Sequence, residues 1–157
     1  MSWTCAACVH VNAAPPPCAA CGALDARGAA LRGAATPGAP ADALAPVAID
    51  RDGVFKYVLV RAELGGGAAP RLLVRGFCAA AYHDDVFQHH LPAILAAPGV
   101  ARAECAGGGR IAADARAKTL RIYGYSKGYG RGDHAAAAAL VRVALPGWAV
   151  RWDNEGY

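Results

Sequence analysis

The sequence predicts an α/β fold, a six-stranded mixed sheet packed between two helices, behind a small N-terminal zinc finger of four cysteines. Three observations lead there. Two paired-cysteine hooks stand within the first 24 residues, a stretch with no Lys, Arg, Asp or Glu. An Ala/Gly/Pro-dominated run follows over 25–46, the composition of a flexible or partly extended linker. Beyond it, β-branched and aromatic runs are interspersed with two stretches of helical character, and a sheet with a helix on each face is their natural packing. The units are therefore 1–24, the finger; 25–46, the linker; and 47–157, the larger domain.

The finger rests on Cys5-x2-Cys8 and Cys18-x2-Cys21. Each hook can present two thiolates from a tight turn, and four thiolates suit one tetrahedral structural zinc. So short a segment could hardly fold without a metal. His10 then reads as a surface residue, because four cysteines complete the shell.

In the larger domain the strand candidates are VFKYVLVRA (54–62), RLLVRGF (71–77), ARAEC (101–105), RIAA (110–113), TLRIYGY (119–125) and WAVRW (148–152), six in all. Their β-branched and aromatic content fits a pleated, buried surface. One helix is expected over 84–97, where Pro92 should shorten or kink it. The other spans 133–145, with Asp133 as N-cap.

Composition bounds the function. The 157 residues hold one ordinary domain and a small appendage. No run of about 18 apolar residues is present to span a bilayer, and the N-terminus lacks the regions of a secretory signal. The expectation is a cytoplasmic protein with reduced cysteines. Residues 47–157 carry 14 basic and 10 acidic side chains, which accounts for the whole net charge of +4. That surplus suits an anionic substrate and is too small to single out nucleic acid.

Three of the five histidines stand in AYHDDVFQHH (81–90). His83 and His90 are seven apart, two helical turns along nearly one face, while His89 points elsewhere. A metal site, one catalytic histidine with two bystanders, and a solvated helix face all remain open on this spacing. CAGGGR (105–110) has four residues between cysteine and arginine, where the cysteine-phosphatase loop needs five, so that reading is rejected. GYSKGYGRG (124–132) meets neither the dinucleotide nor the lysine-terminated phosphate-loop spacing. The RGD at 131–133 is a short match expected by chance. Ser126-Lys127-Gly128, after a strand ending at Tyr125, offers consecutive N–H groups, a hydroxyl and an ammonium. Such a row can bind an oxyanion or can be an ordinary turn.

Two resemblances add to these readings. The pattern Trp3-x-Cys5-x2-Cys8-x3-Asn12-x5-Cys18-x2-Cys21 resembles the Ran-binding-protein-type zinc finger, with the asparagine-to-cysteine spacing one residue shorter than usual. Fingers of that family bind RNA or ubiquitin. RNA binding needs basic side chains around the tryptophan, and there are none; ubiquitin-binding members carry Thr-Phe where Val9-His10 stand. Neither partner is supported, and the finger's partner stays unassigned.

DGVFKYVLVR (52–61), VRGF (74–77) with YHDD (82–85), ECAGGGRI (104–111), IYGYSKGYG (122–130) and WDNEGY (152–157) resemble the phosphohistidine phosphatase, or Janus/Ocnus, family. The resemblance implies a six-stranded sheet between two helices and metal-free removal of phosphate from protein histidine. It implies that His83 is the catalytic residue, that Lys56 contacts phosphate, and that Ser126-Lys127-Gly128 form the substrate-phosphate loop. Arg75 and Arg110 match arginines near the site. Family members often have Met-Ala at Lys127-Gly128, a departure that keeps the backbone donors and adds a charge. His89 and His90 match no motif and read as a solvated face. Asp84 and Asp85 either orient the imidazole or favour the helix dipole as its first residues.

The implied chemistry needs no cofactor, and the zinc of the finger is structural. The expected partners are phosphohistidine-containing proteins, acted on by a monomer away from any membrane. A phospholysine phosphatase, which also breaks a P–N bond, is one alternative. The other is a non-enzymatic phosphoprotein-binding adaptor whose finger recruits a partner; His83, Lys56 and Ser126 together argue against it, since binding alone does not require the histidine.

Overall fold

The computed structural model describes residues 42–157 and two short strands, β1 (Trp3–Thr4) and β2 (Val11–Asn12). These two pair antiparallel, Trp3 opposite Asn12 and Thr4 opposite Val11. Cys5, Cys8, Cys18 and Cys21, and with them the expected zinc, lie outside the described residues.

The main sheet contains β3 (Val47–Ile49), β4 (Gly53–Leu64), β5 (Arg71–Phe77), β6 (Val100–Asp114), β7 (Thr119–Tyr123) and β8 (Ala149–Trp152). Their order is β3-β5-β4-β6-β7-β8, with β3/β5 and β7/β8 parallel and the inner pairs antiparallel. The sheet is thus mixed and six-stranded, as expected, but the six are not the expected six. The segments 101–105 and 110–113 belong to one long strand, β6, and Val47–Ile49 supplies an edge strand that the pattern did not reveal.

Glycine explains the first difference. Ala106-Gly107-Gly108-Gly109 reads as a break because glycine weakens a strand. Here the glycines admit neighbours instead. The pairing of β4 with β6 slips between Val58 and Val60, a bulge opposite Gly107 and its flanks. A Cβ on Gly108 would stand 2.5 Å from the Tyr57 carbonyl oxygen, and one on Gly109 2.4 Å from that of Tyr123.

Helix α1 (His83–Ala96) and helix α2 (His134–Ala144) cover the two faces. On β4, Phe55, Tyr57 and Leu59 pack into a core with Ala137, Ala138 and Val141 of α2. Val58, Val60 and Ala62 pack into a second core with Val86, Phe87 and Ile94 of α1. A strand buried on both faces reads as a continuous apolar run, which is why β4 is evident from sequence. Each large side chain so buried contributes on the order of 1.5–3 kcal/mol. Asp133 caps α2, its carboxylate accepting from the Ala136 N–H at 2.9 Å. α1 continues through Pro92 to Ala96; the residue whose carbonyl loses its helical donor, Gln88, is exposed, so water can serve it.

The packed unit starts before Val47. The Val74 N–H donates to Pro46 O at 2.8 Å, Arg75 Nη2 donates to Ala43 O at 2.9 Å, and Leu44 packs against the α1-side core. No helix among the described residues is long and apolar enough to cross a membrane.

Candidate active site

Lys56 lies on the α1 side of β4, between Phe77 of β5 and Arg110 of β6 in the pairing register. α1 begins over this row. Its N-cap, Tyr82, is extended, and the Tyr82 N–H donates to Asp85 Oδ2 at 2.7 Å. That places His83 as the first helical residue, buried, with Nε2 2.9 Å from the Gly109 carbonyl oxygen. A carbonyl only accepts, so Nε2 carries the proton and Nδ1 presents its lone pair. Gly108 makes the seat possible, since a Cβ there would stand 3.0 Å from His83 Cδ2.

Burial lowers the His83 pKa; the Gly109 bond opposes this, and the charges of Lys56 and Arg110 reinforce it. The imidazole is therefore neutral at pH 7. Asp84 and Asp85 act as helix-start groups. Asp84 accepts from the Tyr129 hydroxyl and from Gln88 Nε2, Asp85 accepts from Tyr82, and neither carboxylate bonds His83.

The turn after β7 supplies the other wall. The Ser126 N–H donates to Gly130 O at 3.1 Å, the Gly130 N–H donates back at 2.8 Å, and Ser126 Oγ accepts from the Tyr129 N–H at 3.2 Å. The Ser126 N–H is thus consumed. Among the described residues the N–H groups of Lys127 and Gly128 have no acceptor, and both residues are exposed at the crest of the turn.

These groups surround a pocket of about 560 Å³. Lys56, His83, Ser126, Lys127 and Gly128 line it, and Tyr82, Tyr129, Tyr157 and the Asp84 carboxylate, which is occupied by the Tyr129 hydroxyl, complete its walls. Arg110 stands just behind, its guanidinium 5.0 Å from the centre of the Tyr157 ring. Arg75 is placed elsewhere. Fully buried, it donates to the carbonyls of Val74 and Ala43, and burial pushes its pKa down to about 10.

The remaining histidines divide. His89 is exposed, consistent with a solvated face. His90 corrects that reading: it is 1% exposed, edge-on to Phe77, and burial pushes its pKa down to about 3. Among the described residues no three His, Cys, Asp or Glu side chains are grouped to hold a metal ion. Cys105 lies in β6 with its thiol pushed up to about 11 by burial, which agrees with rejecting a cysteine-phosphatase loop.

Sequence reading missed His134. It is the first residue of α2 as His83 is of α1, donates from Nε2 to Gly124 O at 2.8 Å, and accepts the Tyr57 hydroxyl at Nδ1 over 2.5 Å. A Cβ on Gly109 would stand 2.8 Å from His134 Cε1, so the glycine run of β6 seats a histidine on each face of the sheet. The signal available was a histidine directly after the expected N-cap Asp133. Tyr129 and Tyr157 were missed because neither carries a chemical signature in sequence.

A neutral imidazole beside a lysine, a second ammonium and two unpaired N–H groups offers donors and charge suited to a phosphate-like oxyanion, with Asp84 engaged by Tyr129 at the edge of the pocket. The Janus/Ocnus family profile (Ocnus) matches residues 41–148. The human 14 kDa phosphohistidine phosphatase is 40% identical over 116 residues, 71% of this chain and 91% of that one. The pig protein of the same name is 36% identical over 116 residues, with 71% and 90% covered. The sex-regulated protein janus-A of Drosophila yakuba is 39% identical over 111 residues, with 71% and 80% covered. The chain belongs to the Janus/Ocnus family.

Proposed function

We propose that the chain is a protein phosphohistidine phosphatase that hydrolyses the P–N bond without a catalytic metal, with His83 as the catalytic residue. The observation that carries this reading is the Nε2–H to Gly109 O bond, which leaves a neutral Nδ1 open beside Lys56 and the Lys127-Gly128 amides. In the reaction the phosphoryl group leaves one nitrogen for an oxygen of water, and the departing imidazole nitrogen takes up a proton. Negative charge on the equatorial oxygens is met by Lys56, Lys127 and the two N–H groups. Nδ1 serves either as general base towards water or as the first phosphoryl acceptor; acid-labile label trapped on His83 distinguishes the second. Arg110 adds charge from behind Tyr157, and Arg75 has no part.

His83→Ala is expected to abolish turnover of a phosphohistidine peptide while the protein stays folded, and His89→Ala to remain near wild type. Substantial turnover by folded His83→Ala protein overturns the assignment. Phospholysine peptide as competitor measures the substrate preference. The four-cysteine finger belongs to the same proposal: the spacing of Cys5, Cys8, Cys18 and Cys21 suits one structural zinc.

A further inference from the structure

Tyr157 has no role in the chemistry just described, yet its ring meets two of the site's cations. It lines the pocket and is 49% exposed. The Arg110 guanidinium lies 5.0 Å from the ring centre, and Lys127 Nζ lies 5.8 Å from it. Tyr125 meets the same ring edge-on at 5.1 Å. The two cations come from different elements, Arg110 from β6 and Lys127 from the turn after β7.

The ion pairs of the described residues join Arg61 to Glu63, Arg102 to Glu104 and Arg121 to Asp153, and include neither cation. Two like charges left to water separate, whereas the negative face of one aromatic ring attracts both. The ring is itself held in place. Asp153 N–H donates to Ile122 O at 3.1 Å and Gly124 N–H donates to Glu155 O at 3.2 Å, which fastens the segment carrying Tyr157 along β7.

We propose that Tyr157 is a positioning residue of the anion pocket, whose ring holds Lys127 at the pocket and Arg110 behind it. An incoming phosphoryl group then meets Lys127 already in place at the pocket, with the Arg110 charge fixed behind the ring, so less order has to be imposed on binding. This rests on reading the pocket as a phosphoryl site and adds a residue that never touches the reacting atoms.

The test uses the full chain, Tyr157→Leu and Tyr157→Phe, with inorganic phosphate as the probe. Tyr157→Leu is expected to bind phosphate about five-fold more weakly, the range of a lost exposed cation–π contact. Its His83 titration, followed by NMR, is expected to move upward, because the Arg110 charge that lowers it is no longer held nearby. Tyr157→Phe keeps the ring face and should match wild type in both. With phosphohistidine peptide, Tyr157→Leu should raise KM and leave kcat within about two-fold. A Leu variant that binds phosphate and titrates as wild type overturns the proposal, as does a Phe variant as impaired as Leu. Wild-type protein that binds phosphate but does not hydrolyse the peptide overturns the phosphatase reading alone.

Discussion

At the scale of single residues, the site depends on what is absent from Gly108 as much as on His83. Gly108→Ala places a methyl 3.0 Å from His83 Cδ2 and 2.5 Å from a backbone oxygen. Neither partner can move freely, so we expect a loss of about 1–3 kcal/mol in stability, together with most of the turnover. Gly128→Ala is the control: nothing lies within 4 Å of the added carbon, and its melting temperature and turnover should match wild type. Lys56→Ala should weaken transition-state binding by about 1.5–3 kcal/mol, read from kcat/KM. The pH–rate profile follows from the environment of His83, which faces Lys56 on β4, Arg110 on β6 and Asp84 beside it. Its pKa lies below the ordinary 6.5, lowered chiefly by burial, so the acid-side midpoint of kcat/KM should fall below that of a free imidazole. A midpoint above 6.5 in kcat/KM would refute the buried neutral imidazole.

At the scale of elements, α1 couples this chemistry to stability. His90 packs under the helix against Phe77, with Arg75 of β5 and His89 as its charged or titratable neighbours. Its folded pKa of about 3 lies below the unfolded value, so the unfolded chain takes up the proton first. The stabilisation is therefore complete above about pH 6.5 and is lost as pH falls towards the folded value, roughly 2 kcal/mol between pH 7 and pH 5 from this side chain. His90→Leu should flatten the dependence of the melting temperature on pH over that range; an unchanged slope refutes the attribution. The same helix shows where sequence reading stops. His83 could be singled out because YHDD is a motif, and the second helix because Asp133 precedes an apolar run. The inward turn of His90 follows only from which face meets the sheet, as does the burial of Arg75 towards Ala43. β4 was readable because both its faces are apolar. β6 was not, because its glycines serve the histidines packed across them and look, one residue at a time, like a turn.

At the scale of the whole molecule, the proposed function gives the finger and the larger domain separate metal requirements. Chelation should release one zinc per chain from the four cysteines, measured by atomic absorption, and leave peptide hydrolysis by residues 42–157 unchanged. Catalysis by that fragment that stops in EDTA ends the metal-free mechanism. The fragment begins at 42 because of the anchoring described above: Pro46 bonds to Val74, Ala43 to the buried Arg75, and Leu44 sits in the core. A backbone held in that way cannot enter a protease cleft. Digestion of the 42–157 fragment should therefore spare the stretch from Asp42 to Pro46, and Arg75→Gln should let protease reach Ala43 and Leu44, so that a buried guanidinium helps set where the resistant fragment starts.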